Sequence, residues 1–390
     1  MTSGTRPLRV FILAGEPSGD RLGGALMAGL NQLAPGVLYR GVGGPLMQAQ
    51  GLSSQFPMEE LSVMGIAEVL PKYFHLKRRI REVADAVLEK KPDVLITIDS
   101  PDFSLRVAKL VKEASQIRTV HYVAPSVWAW RPGRAKKMAQ HIDHVLALLP
   151  FEPSYMEAEG MECDFVGHPV AMEPVATAEE IVKFRADTGL GDAPYVVALP
   201  GSRRSEVGKL APVFGPALKA YLAQNPECRV VLPAAGPVVT ALRDQMDNWP
   251  EGTIILDPND VSAEAGLNRK RAAFAGAELA LAASGTVSLE LAAAKTPMVV
   301  AYTFKWLTWQ IMKRMALIDT VTLVNLVSET RVVPECLGPD CTPDNIVNAL
   351  VKLRANPEAQ AEAMALTMQR LGQGGEEPGL RAARAVLDRL

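Results

Sequence analysis

Short apolar runs, rich in β-branched and small residues, recur along the chain, and nearly every one breaks off in a cluster of Gly, Pro, Ser or Asp. Residues 8–14, 37–42, 94–98, 119–123, 144–149 and 163–167 form one series, and residues 195–199, 229–232, 278–282 and 297–301 a second. The run 94–98 is continuous and rich in β-branched residues, as expected of a strand buried on both faces in a parallel sheet covered by helices on each side, and the other runs read as strands too. Helix-length segments separate them, so each series predicts a doubly wound α/β domain. A chain of 390 residues fits two such domains. Pro174 and the Ala/Glu-rich residues 176–181 mark the boundary. The expected division is 1–175, 176–342 and a helical tail, 343–390, packing back on the domains.

In open parallel sheets ligands bind beyond the carboxyl ends of the strands, so the loops after each run are the places to look for chemistry. In the first domain these are Gly15-Glu16-Pro17-Ser18-Gly19-Asp20, Gly43-Gly44-Pro45, Asp99-Ser-Pro-Asp102 and the aromatic loop Ala124-Pro-Ser-Val-Trp-Ala-Trp130. Ser18 reads as the N-cap of the first helix. Its glycine-bearing turn suits a phosphate or a plain capped turn equally well. Gly43 and Gly44 permit close backbone approach to a ligand but are also ordinary turn residues. Asp99 and Asp102 are candidate general bases, spaced so that one carboxylate can face the ligand while the other caps the next helix. Asp93 lies at the opposite strand end and reads as a surface residue. His121, inside a strand, reads as a core residue; His168, in Gly-His-Pro after a strand, suits either a structural or a catalytic role.

The second domain carries Pro200-Gly-Ser-Arg-Arg-Ser-Glu206, where Gly201 allows close approach and Ser202 and Arg203 supply donors to phosphate oxygens. The GxxxxGK[ST] pattern is absent. Ser284-Gly285-Thr286 stands at an expected helix start, with Glu290 about one turn on, where a carboxylate can accept both hydroxyls of a ribose. Together the two loops favour a nucleotide diphosphate.

A net charge of -2 argues against general nucleic-acid binding. Cys163, Cys228, Cys336 and Cys341 form no CxxC pair, which favours a reducing compartment and no metal site. No signal-like start and no apolar window near the ~18 residues that span a bilayer are present, so the expectation is a cytoplasmic protein. Two segments carry basic and aromatic residues together. Residues 66–81 include Tyr73, Phe74, Lys77, Arg78, Arg79 and Arg81, and residues 303–318 include Trp306, Trp309, Lys313 and Arg314. Each is either a helix packed on the sheet or a face for an anionic, amphiphilic partner.

Read in order, these motifs resemble the bacterial lipid-A-disaccharide synthases across nearly the whole chain. The resemblance rests on Ala14-Gly-Glu-Pro-Ser-Gly-Asp20, Gly41-Val-Gly-Gly-Pro-Leu-Met47, Val63-Met-Gly65 with Glu68-Val-Leu70, Ile98-Asp-Ser-Pro-Asp-Phe103, His121-Tyr-Val-Ala-Pro-Ser-Val-Trp-Ala-Trp-Arg131, Leu148-Leu-Pro-Phe-Glu152, Val166-Gly-His-Pro169, Leu199-Pro-Gly-Ser-Arg203 and Ser284-Gly-Thr286 with Glu290. Pro17 and Arg204 depart from the residues common there.

The resemblance implies a GT-B fold, with an acceptor-binding first domain and a UDP-sugar-binding second one. It implies inverting transfer of 2,3-diacylglucosamine from its UDP form to 2,3-diacylglucosamine 1-phosphate, giving a β-1,6-linked disaccharide phosphate, with no metal and no cofactor. By motif, Asp102 is the base, with Asp99 or His168 as candidate assistants. Ser202, Arg203, Ser284, Gly285, Thr286, Glu290 and Asn325 contact the UDP-sugar, while Glu16, Ser18, Gly43, Gly44, Arg78 and Arg79 serve the acceptor or its lipid. The resemblance also implies peripheral contact with an anionic inner membrane, and a homodimer is compatible with it. The alternatives are a UDP-GlcNAc 2-epimerase, another UDP-sugar enzyme of this fold, and a non-catalytic UDP-sugar-binding protein.

Overall fold

The computed structural model describes residues 6–61, 66–304 and 306–390, with the side chains of 66–72, 306 and 307 outside that description. The chain divides into two compact units, Met1–Pro169 with Gly374–Leu390, and Val170–Gln373.

Unit 1 runs β1 (Arg9–Ala14), α1 (Pro17–Leu33), β2 (Leu38–Val42), α2 (Pro45–Ala49), α3 (Ile66–Lys90), β3 (Val94–Ile98), α4 (Pro101–Ala114), β4 (Arg118–Tyr122), α5 (Gly133–Met138), β5 (His144–Ala147), α6 (Glu152–Glu157) and β6 (Glu162–Phe165). Unit 2 runs α7 (Ala178–Thr188), β7 (Tyr195–Leu199), α8 (Arg204–Gln224), β8 (Arg229–Pro233), α9 (Val239–Arg243), β9 (Ile254–Leu256), α10 (Ala263–Ala275), β10 (Leu279–Ala282), α11 (Val287–Ala293), β11 (Met298–Tyr302), α12 (Trp306–Met315), α13 (Leu323–Ser328), β12 (Glu335–Leu337), α14 (Pro343–Ala355) and α15 (Glu358–Arg370). The last helix, α16 (Pro378–Asp388), returns to unit 1.

Among the described residues the strands form two six-stranded sheets, ordered β2-β1-β3-β4-β5-β6 and β12-β11-β10-β7-β8-β9. Every strand pairing is parallel. The apolar runs do what their pattern requires: all five residues of β3 and of β7 are buried. Helices α1, α3 and α4 then cover the first sheet with apolar faces such as Ile80, Val83, Ala84 and Val87. Two short edge strands, β9 and β12, escape the sequence pattern, because three residues beside a single neighbour need no sustained apolar run.

Each sheet reverses its strand order once, between β1 and β3 in unit 1 and between β7 and β10 in unit 2. At such a reversal the following helices leave on opposite faces, which opens a crevice at the carboxyl ends of the two strands. Register makes those ends level, with Ala14 beside Ile98 and Leu199 beside Ala282.

Candidate active site

In unit 1 the reversal brings the loop after β1 against the loop after β3; a Cβ built on Gly15 would lie 2.9 Å from Ser100 Oγ. Helix α1 starts two residues earlier than the sequence reading, with Glu16 at the N-cap and Pro17 in the first turn, and Ser18 is exposed inside the helix. Proline's fixed φ fits a first helical position and moves the boundary ahead of Ser18. Gly43 and Gly44 are buried, and their close approach is to the chain itself. A Cβ at Gly44 would sit 2.6 Å from the Asp20 carboxylate, which accepts the N–H groups of Leu46 and Met47, both at 3.0 Å.

The turn after β3 is strained. Asp99 and Ser100 adopt φ of 48° and 44°, and Val123, at the end of the adjacent β4, has φ of 84°. Left-handed backbone is costly for residues with a Cβ, and most so for a β-branched one. The turn is held by Asp99 N–H donating to the Tyr122 carbonyl at 3.0 Å. It sets Asp102 in the first turn of α4, exposed and without a capping hydrogen bond, so its carboxylate is available to a ligand. Asp93, at the far strand end, pairs with Arg6 and accepts Arg9 N–H at 2.8 Å. His121 is buried 2.8 Å from Thr97 Oγ1, and burial holds its pKa down to about 4, so it stays neutral in the core. His168 is likewise pushed down to about 4 by burial.

Glu152, which the sequence shows only as the end of the motif at residues 148–152, is a buried acid. Its carboxylate is closed off from water and accepts Leu148 N–H, Leu149 N–H and the Trp128 indole N–H at 3.1, 3.0 and 3.2 Å. Burial pushes its pKa up to about 7 against the opposing pull of those hydrogen bonds.

In unit 2 the loops at the reversal line one cavity of about 1000 Å³. Gly201, Ser202 and Arg203 arrive from the β7–α8 turn, Ser284, Gly285, Thr286 and Glu290 from the β10–α11 turn. Gly201 has φ of 113°, a conformation that favours glycine. Glu206 accepts the N–H groups of Ser202 and Arg203 at 3.1 and 3.3 Å and pairs with the Arg203 guanidinium at 3.1 Å. This acid already occupies donors of the kind an anion would use, and the Arg-x-x-Glu spacing was its only sequence signal. Glu290 forms an ion pair with Lys270 of α10, a cavity residue that the reading of the sequence did not single out. Asn325 is not brought to the cavity: it is 1% exposed, and its amide is used by Thr320 Oγ1, the Val333 carbonyl and Val333 N–H at 3.0–3.1 Å.

Arg79 grips Glu60 through contacts of 2.7–3.0 Å and lies 4.3 Å over the Phe56 ring, whereas Arg78 is exposed. The motif residues Val63, Met64 and Gly65, together with Lys305, lie outside the described residues. Among the described residues no helix is long and apolar enough to cross a membrane, and no group of three or more His, Cys, Asp or Glu is placed to hold a metal ion.

Two parallel α/β units, each with ligand loops at a strand-order reversal, define the class of GT-B-like proteins. The chain is similar to the solved UDP-GlcNAc 2-epimerase from Neisseria meningitidis bound to UDP-GlcNAc, at 12% identity and a TM-score of 0.62, covering 98% of this chain and 99% of that one. It is similar too to Acinetobacter baumannii MurG, at 13% identity and a TM-score of 0.54, covering 98% and 100%. Likenesses at such identity show the fold alone and do not favour an epimerase. The family model for lipid-A-disaccharide synthetase matches residues 10–387. The lipid-A-disaccharide synthase of Ruegeria pomeroyi is 68% identical over 385 residues, covering 99% of this chain and 96% of the relative, and that of Rhodospirillum centenum is 45% identical over 389 residues, covering 98% and 95%. The chain belongs to the lipid-A-disaccharide synthase family.

Proposed function

We propose that the chain transfers 2,3-diacylglucosamine from its UDP-activated form to 2,3-diacylglucosamine 1-phosphate, releasing UDP and a β-1,6-linked disaccharide phosphate. The observation that carries this reading is the 68% identity to a lipid-A-disaccharide synthase over almost the full length of both chains. Asp102 takes the proton of the acceptor 6-hydroxyl as its oxygen bonds to the anomeric carbon and the bond from that carbon to UDP breaks, which inverts the configuration. Its exposure in the first turn of α4, at the strand-order reversal of unit 1, supports this role. Arg203 and Ser202 bind the diphosphate, with Ser284, Gly285 and Thr286 across the cavity, and Glu290 accepts the ribose hydroxyls. Arg203 must exchange part of its pairing with Glu206 for the phosphate oxygens, so the departing UDP meets a cation already positioned. The protein works at the cytoplasmic face of the inner membrane, touching it through the exposed Tyr73, Phe74, Lys77, Arg78 and Arg81 of α3 and the exposed Lys313 and Arg314 of α12.

The test is incubation of the purified protein with UDP-diacylglucosamine and the acceptor monosaccharide phosphate, with mass detection of the disaccharide. Folded protein that forms no product overturns the reading. Asp102→Asn lowers turnover about 10²- to 10⁴-fold, the usual range for loss of a general base, with UDP affinity retained; a near-normal rate removes Asp102 from that role.

A further inference from the structure

The loop between β4 and α5 has a locked inner side and an open outer side. On the inner side Val127 and Trp128 are 1% and 7% exposed, and Trp128 is fixed by its indole bond to Glu152 and by the edge of Phe151, whose ring centroid is 5.2 Å away. On the outer side the loop presents Trp130 and Arg131, and the Arg131 guanidinium carbon lies 3.9 Å from the centroid of the Trp130 ring. Three residues on, Arg134 donates its backbone N–H to the Arg131 carbonyl at 3.1 Å, so both side chains leave a single turn. Residues 123–141 contain no Asp or Glu, and among the described residues neither arginine has an ion-pair partner.

Arginines that hold this fold together look different. Arg79 clasps Glu60 and Glu82, and Arg389 clasps Asp164. Arg131 instead rests on an aromatic face, which orients the guanidinium plane while leaving its in-plane N–H donors and its charge unspent. An oriented, unneutralised fork is suited to a doubly charged phosphate monoester, which accepts parallel N–H bonds. The loop also stands where such a group is needed. It follows β4, whose Tyr122 is in register with Ile98 and accepts the Asp99 N–H, so it begins beside the turn that carries Asp102.

We propose that Arg131, stacked on Trp130 and assisted by Arg134, is the subsite for the phosphate monoester of the acceptor. The proposal rests on the reading of the acceptor as a phosphorylated, acylated sugar. The same chemistry would also hold a phosphate of an anionic lipid headgroup, so the experiment separates the two.

The full-length protein is assayed with the phosphorylated acceptor and with the same diacylated sugar lacking the 1-phosphate, and binding to phosphatidylglycerol vesicles is measured in parallel. Wild type prefers the phosphorylated acceptor. Arg131→Ala reduces that preference about ten- to hundred-fold, the loss expected for charged hydrogen bonds, chiefly through the acceptor KM. Arg131→Lys restores part of it, and Arg134→Ala gives a smaller loss. The KM for UDP-diacylglucosamine stays at the wild-type value, which also reports an intact fold. Wild-type preference retained in Arg131→Ala/Arg134→Ala overturns the proposal, as does a loss confined to vesicle binding. Wild-type protein that couples neither sugar fails the functional reading itself, and the subsite falls with it.

Discussion

Glu152 is a carboxyl group closed off from water and held by three donors, one of them the Trp128 indole N–H. Its pKa rises from 4.5 to about 7 because burial penalises the carboxylate more than three donors reward it. An acid with a raised folded-state pKa lends stability that is fully present below the unfolded value and is lost as pH rises through the folded one. The protein is therefore expected to lose stability between pH 4.5 and about 7 on this account, by about 3 kcal/mol for a shift of this size. Glu152→Gln removes that dependence: its urea midpoint, compared with wild type, improves as pH rises across the window. A difference between the two proteins that stays constant with pH would show that Glu152 does not titrate there. Single residues also mark the limit of sequence reading. The place of Asp102 just past a strand end was readable from the apolar run before it, whereas the pairing of Lys270 with Glu290 and of Glu206 with Arg203 was not.

Helix α3 shows how one element divides its cations between structure and surface. Ile80, Val83, Ala84 and Val87 repeat at helical spacing and are buried, while Phe74, Lys77, Arg78 and Arg81 repeat on the other side and are exposed, Phe74 to 81%. Arg79 falls between the two faces and is tied to Glu60 and Glu82. The composition of residues 66–81 suggested one basic face, and only the packing separates Arg79 from it. Near an anionic membrane each exposed cation contributes about 1 kcal/mol, so replacing Lys77, Arg78 and Arg81 by serine should weaken binding to anionic vesicles roughly a hundred-fold, and more so with Phe74→Ser added. Arg79→Ser should instead lower thermal stability and leave partition nearly unchanged. Sedimentation with vesicles of stated charge measures both, and equal effects of the two sets would refute the division. The same contrast explains the strands: β3 and β7 were legible as continuous apolar runs, while β9 and β12 borrow their place from a neighbouring strand.

At the scale of the molecule, the two α/β series were legible because buried parallel strands need apolar runs that turns must interrupt. The helical tail was expected to pack back on the domains, but the helix that receives it was not legible. An amphipathic helix declares that it has a partner without naming it, and α16 finds its partner in α1, across some 350 residues of chain. The match is one of backbone proximity: a Cβ on Gly379 would lie 2.6 Å from the Ala25 carbonyl oxygen, and one on Gly29 2.7 Å from the Gly379 carbonyl oxygen. Ala382, Ala383 and Val386 fill the contact, and Arg381 and Arg389 anchor the helix to the Phe165 carbonyl and Asp164 beside edge strand β6. Gly379→Val therefore forces the helices apart, at a cost of about 1–3 kcal/mol for overpacking a close contact. Gly29→Val should cost a similar amount, and the double variant less than the sum, because each change opens the gap that the other needs. Since α16 belongs to unit 1, the urea transition of that unit should fall while UDP affinity, a property proposed for the cavity of unit 2, is unaffected. An unchanged transition in both single variants would mean that the α1–α16 contact does not hold the chain's return to its first domain.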